Sequence, residues 1–466
     1  MVKEVDVAII GAGSAGLYAL SQVMRLGKSY VVINGGQLGT TCARVGCMPS
    51  KVLIQAAEDF HRRKVFEREG IEGADHLSVD LPEVMEFVRE LRDSFVERVI
   101  GNNQKRLADH TIDGIAEYVS PNEIKVGDET IRCKASVIAT GSRPVVPAAW
   151  QRGFGDYIIT TDELFEMEDL PGSVAVVGLG VIGLEIGQAL SRLGIEVTGI
   201  DMVDHIGGIE DPDANTIAIE ALQREFTLWL GHPAEISKEG EQLRVTAGDN
   251  SVLVDKLLVS MGRTPNVEAL KLENIGTPLD DAGVPHHNPN TMQCGDSPVY
   301  LAGDVTGAHP LLHEAGDDGR IAGINASSET VTAYKRKTPL FITFCDPNIA
   351  LIGKTWSELD HEHTAIGEVK LAPVGRAQMM SKNRGIIRVY ADKTDGKLLG
   401  ATLVCVKGEN LGHLLAWCIQ QNLSVFDLLR MPFYHPVIEE ALQAALRFLA
   451  QKIENQPGPV LDIEEL

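Results

Sequence analysis

The chain has 466 residues, 44% of them hydrophobic and 23% charged, which predicts a globular protein of several domains. The net charge of −23 argues against nucleic acid or an anionic membrane as a partner. The first residues lead directly into an apolar strand, and no apolar run reaches about 20 residues, so we expect neither a signal peptide nor a transmembrane helix. Seven scattered cysteines do not resemble a secreted disulfide framework, and we therefore expect a cytoplasmic protein.

The N-terminal segment has the pattern of a β–α–β unit. A Val- and Ile-rich run at 5–10 predicts a strand that is buried on both faces of a parallel sheet. A helical pattern covers 14–27, and a second apolar strand covers 30–33. Closely spaced glycines separate the first strand from the helix.

A long helix and several short strands are expected next. Asp80, with Glu83 three residues later, is typical of a helix N-terminus. Short strands are predicted within 114–140, with a turn at Gly127-Asp128. The apolar residues expected on one face of the helix are Val84, Phe87, Val88, Leu91 and Phe95.

The middle of the chain repeats the β–α–β pattern. A further strand is predicted at 252–262 and another at 299–302. The elements of the repeated unit are a strand at 174–177, a glycine turn at 178–183, a helix at 184–193 and a strand at 196–201.

From about residue 340 the pattern becomes antiparallel. Strands are predicted at 341–344 and 386–390, with a hairpin turn at Asp395-Gly396. An acidic tail at 461–466 is expected to be mobile. Two helices are predicted, at 409–421 and 437–452.

These elements predict an α/β fold with two Rossmann-like dinucleotide-binding domains, one inserted within the other, and a C-terminal α+β domain. The expected boundaries are 1–150 for the first domain, 151–266 for the inserted domain, 267–339 for the return to the first domain, and 340–466 for the C-terminal domain.

Two glycine loops carry the pattern GxGxxG, each between a strand and a helix. The first glycine permits a tight turn, the second lets the backbone approach a pyrophosphate, and the third lets the helix pack on the sheet. One such loop could be merely a tight turn, but two in this context predict two dinucleotide sites. The glycines are Gly11, Gly13 and Gly16 in the first loop, and Gly178, Gly180 and Gly183 in the second.

The residue that ends each second strand indicates which dinucleotide binds. In the second unit this residue is Asp201, which can bind both ribose hydroxyls and repel a 2′-phosphate. No Arg or Lys follows it at 202–205, which favours NAD over NADP. The equivalent residue of the first unit is Asn34, which can bind a ribose without carrying a charge. Two sites suggest two different dinucleotides, and FAD with NAD is the natural pair.

Cys42 and Cys47 lie just after the first nucleotide-binding strand. On a regular helix their Cα atoms would be about 8–9 Å apart, beyond the ~7 Å that a disulfide tolerates. A bridge would therefore need a distorted helix, for which Gly46 and Pro49 are suited. A disulfide closing so small a ring is opened easily by a thiolate. Two alternatives to a disulfide remain for these cysteines. They could be half of a zinc site, although no further ligands lie nearby, or they could be unrelated to each other.

The motifs around these features identify a family. The most specific is GTTCARVGCMPSK at 39–51, supported by ATGSRP at 139–144, GRTPN at 262–266, AGD at 302–304 and HPVIEE at 435–440. They occur in one order over nearly the whole chain, which resembles the pyridine nucleotide-disulfide oxidoreductases, flavoproteins with two redox-active cysteines. The resemblance is strongest to the members that oxidise dihydrolipoamide.

The resemblance implies a redox disulfide between Cys42 and Cys47, with Lys51 beside the flavin and paired with Glu185. It implies that Asp304 binds the ribityl part of FAD. The residues expected to bind FAD are Gly11, Gly13, Ser14, Gly16, Asn34, Thr41, Lys51, Thr140, Gly141 and Asp304. The residues expected to bind NAD are Gly178, Gly180, Gly183, Glu185, Asp201 and Gly262.

The resemblance also implies that His435 is the acid–base group for the thiols and that Glu440 orients it. In this family the histidine comes from the other subunit, so a homodimer is implied, with the C-terminal domain as its interface. The catalytic residues implied are Cys42, Cys47, His435, Glu440, Lys51 and Glu185.

The chain departs from the family's pattern at two positions. Asn34 stands where an acid is usual, and Phe433 stands where the dihydrolipoamide-oxidising members carry another histidine. Neither departure touches the expected electron path, although the first should weaken FAD binding.

The reaction implied is the oxidation of dihydrolipoamide, or of lipoyl-domain proteins, with NAD⁺. A glutathione-reductase-like activity is disfavoured by the absence of basic residues after Asp201. A mercuric-reductase-like activity is disfavoured because no cysteine pair lies near the C-terminus. A non-catalytic scaffold would have no need of the cysteines, His435 and Glu440.

Overall fold

The computed structural model describes residues 2–458 and residue 463. The predicted acidic tail at 461–466 lies, apart from Ile463, outside the described residues. The first part of the chain forms β1 (Val2–Ile10), α1 (Ser14–Arg25), β2 (Tyr30–Asn34), α2 (Thr41–Val45), α3 (Cys47–His61), α4 (Arg63–Phe66), α5 (Leu81–Leu107), β3 (Thr111–Asp113), β4 (Ala116–Ser120), β5 (Glu123–Val126), β6 (Glu129–Ile138), β7 (Ser142–Pro144) and α6 (Ala148–Phe154).

The middle and C-terminal parts are equally regular. The middle part forms β8 (Ile158–Ile159), α7 (Thr161–Leu164), β9 (Ser173–Val177), α8 (Val181–Arg192), β10 (Glu196–Ile200), α9 (Pro212–Leu222), β11 (Thr227–Trp229), β12 (Glu235–Glu239), β13 (Gln242–Ala247), β14 (Asn250–Val254) and β15 (Lys256–Val259). The rest forms β16 (Arg263–Pro265), β17 (Val299–Leu301), α10 (Leu312–Ala326), β18 (Leu340–Thr343), β19 (Asn348–Gly353), β20 (Thr364–Lys370), α11 (Gly375–Met379), β21 (Ile386–Asp392), β22 (Leu398–Cys405), α12 (Gly408–Gln420), α13 (Val425–Leu429) and α14 (Glu439–Ala450).

The first sheet is parallel at its centre. Strands β3, β2, β1, β6 and β17 are parallel neighbours, and β5 and β4 extend β6 as an antiparallel meander. The last four residues of β1, Val7 to Ile10, are buried, which explains why this stretch is apolar without alternation. The glycine loop before α1 therefore lies at the carboxyl end of a central strand, where α/β folds bind ligands.

The second sheet repeats this arrangement. Its order is β11-β10-β9-β15-β8, all parallel, with a three-stranded antiparallel sheet of β12, β13 and β14 beside it. Strands β7 and β16 pair antiparallel where the chain leaves the first sheet and returns to it. The second unit is thus inserted in the first.

The C-terminal part is built on an antiparallel sheet in the order β18-β19-β22-β21-β20. Helix α14 packs against β20 and β21, and α12 packs against β19 and β22. The hairpin turn predicted at Asp395-Gly396 does connect β21 to β22. Within the described part of the chain, every helix is too short or too polar to cross a membrane.

The strand predicted at 252–262 is wrong in one respect, because it is two strands in different sheets. It is interrupted at Asp255, whose carboxylate accepts hydrogen bonds from the backbone N–H of Ser173 at 2.9 Å and from its hydroxyl at 2.8 Å. These bonds turn the chain from β14 toward β15. Helix α8 also begins earlier than predicted, at Val181, because Gly180 is its N-cap.

The long helix α5 begins where predicted, with the Asp80 carboxylate accepting from the N–H of Glu83 at 3.3 Å. Most of the predicted face is confirmed, because Val88 is buried and Val84, Leu91 and Phe95 pack against the core. Phe87 is the exception, since 51% of it is exposed, and Met85 and Arg92 are buried instead. The apolar pattern could not indicate Arg92, because its buried guanidinium is paired with Glu166, far along the chain.

Candidate active site

The segment with the cysteine pair is a helix broken in its middle. Helix α2 ends at Val45, Gly46 leaves helical geometry with φ −129° and ψ −120°, and α3 begins at Cys47. A Cβ atom at Gly46 would lie 3.1 Å from the carbonyl oxygen of Thr41, so the backbone is tightly folded there. The predicted break thus falls at Gly46. Pro49 does not break the helix, because it lies in the first turn of α3, where its missing N–H removes no helical hydrogen bond.

The two thiols contact each other and are unequal. Cys42 is half-buried and Cys47 is exposed, and both are free thiols in this structure. The hydrogen bond from the Cys42 thiol, assisted by the Lys51 ammonium, lowers the pKa of Cys47 to about 7, although partial desolvation by the surrounding protein opposes this shift. The same hydrogen bond and burial raise the pKa of Cys42. Cys47 is therefore the group that becomes a thiolate near neutral pH, with Cys42 as its hydrogen-bond donor.

The predicted pair of Lys51 and Glu185 is formed. The Lys51 ammonium lies 2.7 Å from Glu185 Oε2, and only 4% of the Glu185 side chain is exposed. Lys51 is one turn after Cys47 on α3, whereas Glu185 is on α8 of the second sheet's unit. A buried carboxylate needs such a partner, and the pair connects the two dinucleotide-binding units beside the cysteines.

Phe344 completes this ion pair, a role that no motif in the sequence indicates. Its backbone N–H donates to Glu185 Oε1 at 2.8 Å, and its ring centroid lies 4.6 Å from the Lys51 ammonium. The segment after β18 thus holds the second oxygen of the carboxylate. A contact over so long a stretch of sequence leaves no periodic signal that could reveal it.

His435 and Glu440 are also brought together. The distance from His435 Nδ1 to Glu440 Oε1 is 2.8 Å, and the backbone N–H of Val437 donates to Glu440 Oε2 at 3.1 Å. The hydrogen bond with His435 lowers the pKa of the Glu440 carboxyl. The His435 side chain is 81% exposed, so its Nε2 faces outward from the C-terminal part of the subunit. None of the hydrogen bonds described for this chain joins His435 to the cysteines.

The first glycine loop has the geometry of a phosphate-binding turn. Gly11 has a φ of +106°, and a Cβ there would lie 2.3 Å from the carbonyl oxygen of Ala139. A Cβ at Gly16 would lie 1.9 Å from the Gly11 carbonyl oxygen, whereas a Cβ at Gly13 would meet no atom within 4 Å. The first and third glycines are thus required for packing. The second opens to the space in front of the N-terminus of α1, which begins at Ser14.

The second loop has the same geometry. Gly178 has a φ of +96° and lies against the Ser260 carbonyl, and a Cβ at Gly183 would lie 1.9 Å from the Gly178 carbonyl oxygen. Gly180 faces open space at the N-terminus of α8. Both loops therefore fit a dinucleotide pyrophosphate, and neither has a side chain in its way.

Asn34 and Asp201 occupy equivalent positions but bond differently. Asp201 accepts from the N–H of Leu179 at 2.6 Å and from the N–H of Val203 at 3.2 Å, which leaves carboxylate lone pairs for a ribose. Asn34 accepts from the N–H of Ala12 at 3.1 Å through Oδ1 and donates to the carbonyl of Gly36 at 2.5 Å through Nδ2. Since one neighbour is a donor and the other an acceptor, the orientation of the Asn34 amide is fixed.

We expect Asn34→Asp to weaken FAD binding about three- to tenfold, rather than to restore the family's usual affinity. A carboxylate oxygen would face the Gly36 carbonyl, and the repulsion would open the turn. Titration of the FAD-free protein with FAD measures the change. Asn288→Asp is the control, because the Asn288 side chain only accepts, from the N–H of Asn290. Unchanged or tighter FAD binding by Asn34→Asp would contradict this prediction.

The remaining residues predicted to bind FAD lie near the place where β7 pairs with β16. Ser142 donates to Asp304 Oδ2 at 3.0 Å and accepts from Arg263 Nε at 2.8 Å. The Thr140 hydroxyl donates instead to the carbonyl of Asn266, at 2.7 Å. Gly141 has a positive φ and faces open space, and so does Gly262, which is predicted to bind NAD. A cavity of about 410 Å³ lies here, lined by Gln37, Thr41, Arg44, Val45, Ser142, Asp162, Glu166 and Arg263.

Comparison with known proteins agrees with this site. Residues 5–319 match the profile of the pyridine nucleotide-disulphide oxidoreductases, and residues 340–446 match the dimerisation domain of the same family. The chain therefore belongs to the pyridine nucleotide-disulphide oxidoreductase family, whose cofactors are FAD and NAD. This confirms the predicted family and fold class. The match to the dimerisation domain supports a homodimer.

Among similar proteins, "Dihydrolipoyl dehydrogenase 2" of Haloarcula marismortui is 29% identical over 461 residues, which cover 94% of this chain and 95% of that protein. "Dihydrolipoyl dehydrogenase" of Staphylococcus aureus is 27% identical over 97% of this chain and 98% of that protein. The solved structure of LpdA from Mycobacterium tuberculosis has a TM-score of 0.82 at 24% identity, covering 96% of this chain and 99% of LpdA, which shows a shared fold.

Proposed function

We propose that this protein is a dihydrolipoyl dehydrogenase, which oxidises a dihydrolipoyl dithiol to its cyclic disulfide with NAD⁺ as the electron acceptor. The observation that carries the proposal is the unequal cysteine pair, with the Cys47 thiol at the start of α3, near Lys51. Relatives that align over nearly the whole chain have this activity in their names.

The chemistry of the cysteines follows from their inequality. In the oxidised enzyme a substrate thiolate attacks Cys42, the Cys42–Cys47 bond breaks, and Cys47 leaves as the thiolate. The second substrate thiolate then attacks the substrate sulfur bound to Cys42, which releases the cyclic disulfide and the Cys42 thiolate. The substrate loses two electrons and two protons, and the cysteine pair gains the electrons. FAD, when bound, supplies the two-electron connection from the Cys47 thiolate to the nicotinamide.

We propose that His435 accepts the protons of the substrate thiols. Glu440 holds Nδ1 of His435 in a hydrogen bond, so that Nε2 is left to exchange protons with a thiol. We propose that it acts on the cysteine pair of the other subunit. The match to a dimerisation domain and the exposure of His435 support this arrangement.

The two sheets are assigned to the two cofactors. We assign FAD to the unit of β1, with domain boundaries of 1–150 and 267–339, NAD to the unit of β9 at 151–266, and dimerisation to 340–466. Asp201 supports NAD over NADP because its carboxylate would repel a 2′-phosphate. The seven cysteines are free thiols, which is typical of a reducing compartment, and we propose the cytoplasm.

A comparison of turnover with different substrates tests the function. The purified enzyme is given dihydrolipoamide or reduced glutathione, each with NAD⁺ or NADP⁺. We expect dihydrolipoamide with NAD⁺ to exceed every other combination in kcat/KM by at least about a hundredfold, a difference of ~2.7 kcal/mol. Preference for glutathione, or for NADP⁺, would refute the proposal. Isolated lipoyl domains as substrates would then identify the carrier protein.

A further inference from the structure

The turn that carries Asp304 is held from behind by an ion pair. The turn, Gly303–Thr306, follows β17 directly. The backbone N–H of Gly303 donates to Asp318 Oδ2 at 3.1 Å, and Arg336 Nη2 lies 2.6 Å from Asp318 Oδ1. Only 9% of the Asp318 side chain is exposed. One oxygen of the Asp318 carboxylate thus contacts the turn, and the other contacts the Arg336 guanidinium.

Arg336 also pairs with Glu314, at 2.6 Å, so a single guanidinium bridges two carboxylates on helix α10. Arg336 lies in the irregular segment between α10 and β18. Without Arg336, the partly buried carboxylates of Asp318 and Glu314 would repel each other beside the turn. The Asp318 carboxylate would then lose the partner that stabilises its ionised form and fixes its orientation.

Helix α10 is itself fixed to the first glycine loop. A Cβ at Gly319 would lie 2.3 Å from the carbonyl oxygen of Ala15, so α10 and α1 pack with their backbones in contact. Gly303 has a φ of +79°, and a Cβ there would lie 2.8 Å from the Ala15 Cβ. The turn, α1 and α10 thus form one rigid cradle. Asp318 is the polar residue of α10 that bonds to the turn.

We propose that Asp318 and Arg336 are positioning residues for FAD: by holding the Gly303 amide, they fix the turn that presents Asp304 to the cofactor. The proposal rests on the assignment of FAD to this unit, but not on the identity of the dithiol. The Asp304 carboxylate accepts a hydrogen bond from Ser142, and the backbone N–H of the preceding residue, Gly303, donates to Asp318.

The neighbouring residues provide a matched control. Asp317 and Lys337, each one residue along the chain from Asp318 and Arg336, pair at 2.8 Å, and Asp317 also pairs with Arg320. Lys337 is 67% exposed, and none of the bonds described for Asp317 reaches the turn. If the Asp318–Arg336 pair only stabilised the fold, its removal and the removal of the Asp317–Lys337 pair should affect FAD binding similarly.

The test is a titration of FAD-free full-length protein with FAD, followed by flavin fluorescence, together with thermal unfolding of the same FAD-free samples. We expect Asp318→Asn and Arg336→Met to weaken FAD binding at least tenfold, and Asp317→Asn and Lys337→Met to stay within twofold of the unmodified chain. Arg336→Lys should recover part of the loss, because it restores the charge.

Asp318→Glu distinguishes positioning from ion pairing. It keeps the charge for Arg336 but displaces the carboxylate from the Gly303 amide, so we expect weaker FAD binding in a chain that unfolds at the same temperature. FAD binding within twofold of the unmodified chain for both Asp318→Asn and Asp318→Glu would overturn the proposal, as would equal losses in the Asp317 and Lys337 controls. If the unmodified chain bound no FAD, the cofactor assignment itself would be wrong.

Discussion

We expect Cys47→Ser to abolish the reduction of bound FAD by a dithiol, and Cys42→Ser to leave a Cys47 thiolate in place. Both results follow from the unequal roles of the two thiols. The Cys42 thiol is the hydrogen-bond donor and Cys47 is the acceptor whose pKa falls to about 7. A serine at position 42 can still donate to the thiolate, but a serine at position 47 cannot carry the electrons onward.

The measurement is the long-wavelength absorption that a thiolate in contact with bound FAD produces, recorded for each variant as a function of pH. Cys42→Ala removes the donor, so we expect the Cys47 pKa to rise above its value in Cys42→Ser, and the absorption to appear only at higher pH. Cys418→Ser is a control in a half-buried thiol of the C-terminal part. Equal spectra from Cys42→Ser and Cys47→Ser would refute the assignment of roles.

The second large effect is expected from His435. Loss of a positioned acid–base group costs about 10²- to 10⁴-fold, and we expect His435→Gln to lower kcat by this amount without changing FAD content or thermal stability. His363→Gln is a matched control. Its Nδ1 also lies 2.8 Å from a carboxylate, that of Asp360, and its side chain is exposed too. Equal turnover in the two variants would contradict the role of His435.

Mixing subunits tests whether His435 acts across the interface. His435→Gln and Cys47→Ser are each expected to be inactive as homodimers. A hybrid dimer would combine the intact cysteines of one subunit with the intact histidine of the other in one of its two sites. Random mixing should therefore recover about one quarter of the unmodified activity. If mixing recovers none, the histidine acts within its own subunit.

Features that depend on local sequence could be predicted from it. In each glycine loop, the first glycine is predicted to permit a turn, the second to leave space for a pyrophosphate, and the third to let the helix pack. The three glycines of both loops have this geometry in the same order. A disulfide between Cys42 and Cys47 would need a break in the helix, for which the sequence offers Gly46 and Pro49, and the break lies at Gly46. In these cases the backbone geometry follows from residues a few positions apart.

Features that depend on distant contacts could not be predicted. Phe344 reaches Glu185 through a backbone N–H, which any residue other than proline would offer, so its identity carries no signal. Asp255 ends a strand because Ser173 lies beside it in another part of the chain. Arg92 is buried on α5 with its guanidinium paired to Glu166, a contact across 74 residues that no local pattern indicates.

An anaerobic titration of the FAD-loaded enzyme with dihydrolipoamide tests the central claim most directly. We predict that a long-wavelength absorption band from the Cys47 thiolate develops with one equivalent of dithiol. Because the pKa of Cys47 is lowered to about 7, the band should be strong above that pH and fade as the pH falls below it. If no band develops at any pH, or if the band persists in Cys47→Ser, the proposed dithiol chemistry at Cys42 and Cys47 is wrong.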